Sequence, residues 1–149
     1  MCQMLTEVAR LDVNARNQLG CTPLHMSLYA FNEKKDHSPA LERYLLSQGA
    51  DGLAMDSDKR IPLVYLFFKS KESVVALDPA NILQVFADQN MLAVNKHLAV
   101  VDRTGNTLLH YACMAGATIC AMSLIQSGSD VTRTNLIGNT PFAMALCHG

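Results

Sequence analysis

One four-residue pattern occurs four times along this 149-residue chain, and no other feature restricts the fold as much. Thr22-Pro23-Leu24-His25 is echoed by Ile61-Pro62-Leu63-Val64, Thr107-Leu108-Leu109-His110 and Thr140-Pro141-Phe142-Ala143. The spacings are 39, 46 and 33 residues, so the shortest is one period and the other two are that period lengthened by insertions. Further markers keep the register. Five residues before the tetrads lie Asn17, Asp56, Asp102 and Asn135, and two before lie Gly20, Lys59, Gly105 and Gly138. Twelve before the three later tetrads lie Gly49, Asn95 and Gly128, each preceded by an apolar pair: Leu45-Leu46, Met91-Leu92 or Leu124-Ile125. Gly or Asn at all three positions predicts a left-handed backbone there. A fixed period of this size implies stacked supersecondary units rather than one conventional core.

The third occurrence shows what one unit should be. Thr before Pro, as in Thr22-Pro23 and Thr140-Pro141, starts a helix: Thr caps the first turn and Pro tolerates the first helical position. Leu109, Ala112 and Cys113 share one face of the helix that follows. Gly116 breaks it, Thr118 is placed to cap a second helix, and Ile119, Met122 and Ile125 share a face of that helix. Gly128 ends it, and Asp130 to Asn139 is rich in turn formers. The expected unit is helix, turn, helix and an extended hairpin loop.

In these residues the chain resembles the ankyrin-repeat family, with its 33-residue period and T-P-L-H-x-A signature. Asp102-Arg103-Thr104-Gly105-Asn106-Thr107-Leu108-Leu109-His110-Tyr111-Ala112 matches apart from Leu108 in place of Pro, and Gly20 to His25 also matches. The second occurrence diverges, with Lys59 for Gly, Ile61 for Thr and Val64 for His. The resemblance implies an all-α solenoid of stacked helix-turn-helix units with hairpin loops. It divides the chain into a partial repeat at 1–16, repeats at 17–55, 56–101 and 102–134, and a truncated repeat at 135–149. Two insertions depart from the family pattern. One is a polar stretch between Phe31 and Pro39. The other lies between Phe68 and Met91, where Asp78-Pro79 predicts a second helix from about Pro79 to Val94 after a loop at 69–73.

Only 17% of residues are charged while half are hydrophobic, and no charged residue falls between Thr104 and Ser129. The 19 residues from Thr107 to Ile125 match a bilayer span in length. Gly116 sits where the repeat turns, so a buried helical hairpin is the better reading and no membrane insertion is expected. Twelve basic against 13 acidic residues argue against a nucleic-acid binder that works through a basic footprint. The N-terminus lacks the basic start and apolar run of a signal peptide. Five scattered cysteines fit reduced thiols, and both observations predict an intracellular protein.

Chemical motifs are sparse. His25 and His110 have no positioned nucleophile to serve, and the family resemblance implies that they tie the first helix of a unit to a hairpin loop. His110-x-x-Cys113 and Cys147-His148 are isolated pairs, short of the four ligands a structural zinc site needs. Cys21, on a loop, is expected at the surface as an ordinary thiol. Met114 and Met122 are expected to fill space between units. No phosphate-binding glycine pattern occurs. Catalytic residues, metal ligands and cofactors are therefore all expected to be absent.

The resemblance implies a non-enzymatic protein–protein interaction module, part of a larger protein, that binds through hairpin tips and a concave helix surface. Its contact positions map onto Gln18, Leu19, Cys21 and Tyr29; Ser57, Asp58, Arg60, Phe68 and Lys69; Arg103, Thr104, Asn106 and Met114; and Leu136, Ile137 and Asn139. Leu19, Leu136 and Ile137 are apolar at the tips. They would anchor a partner, or pack against further repeats or a neighbouring domain of the same protein. A second reading makes the chain a regulatory or targeting segment of an enzyme or channel whose catalytic part lies elsewhere.

Overall fold

The computed structural model describes residues 12–31, 39–68, 85 and 98–148. All regular elements among these are helical: α1 (Pro23–Phe31), α2 (Ala40–Ser47), a 3-10 helix (Pro62–Phe67), α3 (Leu108–Met114), α4 (Thr118–Gln126) and α5 (Pro141–His148). The fold class of the described residues is all-α. None of these helices is long enough to persist alone in water, so tertiary packing holds them.

That packing runs along the sequence. α1 contacts α2 and the 3-10 helix, the 3-10 helix contacts α3, and α3 contacts α4 and α5. One apolar cluster threads all but α5, taking in Leu24, Leu28 and Phe31 of α1, Leu45 and Leu46 of α2, and Ile61 to Phe67. Beyond these it includes Leu109 and Ala112 of α3 and Cys120 and Leu124 of α4. Val85, the one described residue of the expected 79–94 helix, is helical and joins the same cluster. The two insertions otherwise lie outside the described residues.

The helix ends follow from local chemistry. Thr107 caps α3 in a reciprocal box: its side chain accepts from the His110 backbone N–H, and the His110 ring accepts from its own. Thr140 Oγ1 caps α5 through the Ala143 N–H at 3.2 Å. Gly49 and Gly128 end α2 and α4 with φ of 91° and 99°, as their spacing predicts. Gly116, at φ 70°, separates α3 from α4 and so divides the uncharged stretch. No helix among the described residues is long and apolar enough to cross a membrane.

Two expectations for α4 are corrected. Its N-cap is Ala117, with no side-chain cap, and Thr118 is already helical. Met122, expected to fill space between units, is exposed on the face it shares with Ile119 and Ile125, and the buried residues of the helix are Cys120 and Leu124. Both sides of this helix are apolar, so a spacing of three along it marks a face without saying which way that face points.

Candidate functional site

The four marker residues build four loops of one geometry. In each, the marker N–H donates to the carbonyl four residues on: Asn17 to Cys21, Asp56 to Arg60, Asp102 to Asn106 and Asn135 to Asn139, at 2.9–3.1 Å. The marker carbonyl accepts from the residue three on, which is Gly20, Lys59, Gly105 or Gly138. The marker Oδ1 accepts two more backbone N–H groups, those of residues two and four on. This explains why only Asn or Asp stands there: a short side chain must place one oxygen against two amides. Residue three on must be left-handed, and Lys59 takes that conformation, with φ 62°.

The loops are also bonded to one another. The Ser57 N–H donates to the Leu19 carbonyl, Arg103 to Asp58, and Leu136 to Thr104, each at 3.0 Å. Asn135 Nδ2 reaches Asn106 Oδ1 at 2.9 Å. Gly105 is needed for this approach, because a Cβ there would lie 2.9 Å from Leu136 N. The result is a row of loop tips: 18–19, 57–60, 103–104 and 136–137.

His25 and His110 brace the row from below. His25 Nδ1 accepts the Thr22 N–H at 3.1 Å, and its Nε2 lies 3.0 Å from the Arg60 carbonyl, which can only accept, so Nε2 carries the proton. His110 does the same with Thr107 and the Asn139 carbonyl. Each histidine thus ties the start of one helix to the next loop. Burial lowers both imidazole pKa values, against the raising influence of the bonded carbonyls. Both ring nitrogens are committed to structure, which leaves neither histidine free to act as a base.

A second brace was not foreseen in the sequence. Tyr65 donates to Asp56 Oδ2 at 2.5 Å, and Tyr111 donates to Asp102 Oδ2. In each case the tyrosine stands nine residues after the marker, and Met144 occupies that position relative to Asn135. The repeated interval was the available signal. Burial alone would raise the Asp56 carboxyl. Tyr65, the Arg60 and Asp58 amides and the Arg60 side chain outweigh it and hold that carboxyl below its ordinary value. Burial and the bonded carboxylate push both tyrosine hydroxyls up.

The expected contact residues fall into four groups. Gln18, Leu19, Ser57, Asp58, Arg103, Thr104, Leu136 and Ile137 lie exposed on the row, with Leu19 at 66% and Leu136 and Ile137 each at 78%. Arg60, Asn106 and Asn139 are half-buried at its base. Arg60 bonds Asp56 at 2.9 Å and Asp58 at 2.7 Å, with its guanidinium 5.0 Å from the Phe68 ring centre. On the helix side, Tyr29, Tyr65, Phe68 and Tyr111 form a chain of edge contacts with centroid distances of 6.5, 4.9 and 5.8 Å. Met114 is half-buried against the core, while Met122, expected to fill space there, is exposed.

Lys69 lies outside the described residues. Cys21 is a correction: it is 3% exposed, and its thiol sits 2.9 Å from the Tyr65 hydroxyl, where it offers no surface. Tyr65 already donates to Asp56, so the thiol is the donor of that pair. Among the described residues no group of three or more His, Cys, Asp or Glu is placed to hold a metal ion.

A helical chain whose loops repeat one hydrogen-bonded geometry and present their tips in a row belongs to the class of repeat-built scaffolds. The ankyrin-repeat family model matches residues 104–136. The poly(ADP-ribose) polymerase tankyrase of Caenorhabditis elegans is 34% identical over 64% of this chain and 4% of its own length. The ankyrin repeat protein OPG189 of Variola virus is 28% identical over 92% of the chain and 23% of its own length. The tyrosine-protein kinase HTK16 of Hydra vulgaris is 30% identical over 93% of the chain and 16% of its own length. The chain therefore spans under a quarter of each of these relatives. An ankyrin-repeat domain is present in this protein. Ankyrin-repeat proteins are in general non-catalytic interaction modules.

Proposed function

We propose that the chain is a stacked ankyrin-repeat solenoid with hairpin loops, divided at 17–55, 56–101 and 102–134 with partial repeats at 1–16 and 135–149. It serves as a protein–protein interaction module within a larger intracellular protein. It binds its partner through the loop tips and the adjoining concave helix surface, with Gln18, Leu19, Tyr29, Ser57, Asp58, Arg60, Phe68, Lys69, Arg103, Thr104, Met114, Leu136 and Ile137 as contacts and Asn106 and Asn139 beneath them. The carrying observation is the loop row itself. Backbone bonds fix the tips side by side, and Leu19, Leu136 and Ile137 stay exposed on it. Apolar side chains on a rigid frame are suited to anchoring a partner. Replacing Leu136 and Ile137 together by Ala should weaken partner capture by the full-length protein by about tenfold while leaving the unfolding midpoint in place. Unchanged capture would remove these tips from the site.

A second reading is favoured by the relatives. Two carry enzyme names, a poly(ADP-ribose) polymerase and a tyrosine-protein kinase, and this chain aligns with a small share of each. In that reading the domain is the regulatory or targeting segment of an enzyme. Activity of the full-length protein that changes with the Leu136/Ile137 variant would support it.

A further inference from the structure

The loop row is not uniform along its length. Its first tip carries Leu19 and its fourth carries Leu136 and Ile137, all exposed. The two middle tips are polar and carry exposed Lys59 and Arg103. Asp58, the exposed acid of the middle tips, is already paired with Arg60 at 2.7 Å. Arg60 in turn is held by Asp56 and lies over the Phe68 ring. Asp56 and Asp102 are both buried, with their carboxylates turned to Tyr65 and Tyr111. Among the described residues, neither Lys59 nor Arg103 has an acidic partner within salt-bridge distance. Arg103 is bonded to the second tip through its backbone N–H, on the Asp58 carbonyl at 3.0 Å, and among the described residues its guanidinium makes no hydrogen bond or ion pair. The order along the row is therefore apolar, cationic, cationic, apolar.

We infer that the row docks a protein segment of complementary order: acidic side chains, aspartate or glutamate, flanked on both sides by aliphatic anchors. This rests on the loop row being the binding surface and adds the chemistry of what it selects. The two cations stem from different loops, one step apart along the row. Carboxylates spaced along a chain match such an arrangement, whereas a single compact anion would need both cations to converge on it. Exposed ion pairs contribute little affinity and are screened by salt, so the cations set selectivity and rate of encounter. The aliphatic ends, which shed water on docking, supply the affinity. Lys59 has a further mark of this role. A lysine occupies a left-handed backbone position that Gly20, Gly105 and Gly138 fill elsewhere, so a charged side chain is kept where glycine suits the backbone better.

The test is a selection of random displayed peptides on the immobilised intact protein, followed by anisotropy titration of the enriched peptides. Enriched peptides should carry Asp or Glu between aliphatic residues. Lys59→Glu with Arg103→Glu should weaken them about tenfold at physiological salt, and less at high salt. The same variant should select peptides with Lys or Arg in the centre. Leu136→Ala with Ile137→Ala should weaken binding at every salt concentration. Enriched peptides without acids, or indifferent to the charge reversal but sensitive to the Leu136/Ile137 change, would overturn the acidic assignment and leave the loop row as the binding surface. Peptides indifferent to both variants, or no enrichment at all, would overturn both. All four exchanged side chains are exposed, and an unchanged unfolding midpoint confirms that each variant is folded.

Discussion

The stretch from Asp56 to Phe68 and the stretch from Asp102 to Met114 make the same loop but different helices. Both markers bind the same two amides, and both receive a tyrosine hydroxyl from nine residues on. Beyond the loop they part. Thr107 and His110 box the start of an α-helix and tie it to the next loop at Asn139. Ile61 and Val64 at the matching positions can do neither, and the chain there forms a 3-10 helix without a side-chain cap. Ile61 and Val64 are buried among apolar neighbours instead, and Phe68 meets Tyr111 of the following helix edge-on. The loop geometry thus depends on the marker and the tyrosine. The threonine–histidine pair governs the helix start and its link onward, and apolar contact can replace it at the expense of regular helix.

Making the regular stretch resemble the divergent one is the most damaging exchange. His110→Val should lower stability by about 2–3 kcal/mol, because the buried Thr107 N–H loses its acceptor and the Asn139 carbonyl, which keeps the Asn135 N–H, loses its tie to α3. The reverse exchange, Ile61→Thr with Val64→His, should gain under about 1 kcal/mol, since a 3-10 segment does not hold the ring in the same place. Urea unfolding of both variants checks the asymmetry. Equal and opposite changes would show that the pair acts independently of the helix it starts.

The loops can be separated by how close they lie to their neighbours. Gly105→Ala places a Cβ 2.9 Å from Leu136 N on a backbone with φ 79°. It should lower stability by about 2 kcal/mol or more. Gly138→Ala, at φ 85° with nothing within 4 Å, should lower it by only about 1 kcal/mol. Equal losses would mean that the Thr104–Leu136 link adds nothing to the row.

The histidines make this difference visible as pH dependence. Burial holds His25 and His110 below their ordinary pKa. The unfolded chain therefore takes up protons first as pH falls through about 6.5. Stability is complete above that value and declines as pH drops toward the lowered folded-state values. Each histidine contributes at most about 1.4 kcal/mol per pH unit. Asp56, held low, keeps its contribution until more acid conditions. Melting temperatures between pH 7.5 and 5 should therefore fall, with a shallower slope in His110→Val. An unchanged slope would assign the pH dependence to other groups.

The loops were legible in the sequence because each of their bonds demands a residue type: Asn or Asp for two amides, glycine for positive φ, Thr before Pro for a cap. The surface of α4 was not. From Thr104 to Ser129 no charge marks a wet side, so Ile119, Met122 and Ile125 were as plausible inside as Cys120 and Leu124. Cys21 misled for a related reason. Its loop is at the surface, but its side chain points back to Tyr65, a contact that depends on a residue 44 positions away. The Asp–Tyr braces were present as an interval of nine and were overlooked because neither residue belongs to the tetrad.

Those braces can be compared directly. Tyr65→Phe strips a donor from the buried Asp56 carboxylate and an acceptor from the Cys21 thiol, and should lower stability by about 1–2 kcal/mol. Tyr111→Phe, with Asp102 as its partner, should lower it by somewhat less, about 1 kcal/mol. Denaturant midpoints of the pair would show whether the divergent stretch leans more heavily on its tyrosine. A larger loss at Tyr111 would reverse that conclusion.

The smallest effect runs the other way. Lys59 holds φ at 62°, where a side chain is strained, while glycine fills the matching position of the other three loops. Lys59→Gly relieves that strain, worth about 1–2 kcal/mol, but adds freedom to the unfolded chain, which takes back about 0.4–1 kcal/mol. The net expectation is a gain of about 0.5–1 kcal/mol in chemical unfolding. If the lysine is retained for binding, the same variant should bind acidic peptides more weakly while being more stable. A loss of stability would mean that the Lys59 side chain supports the loop, and its strained backbone would then need no explanation from binding.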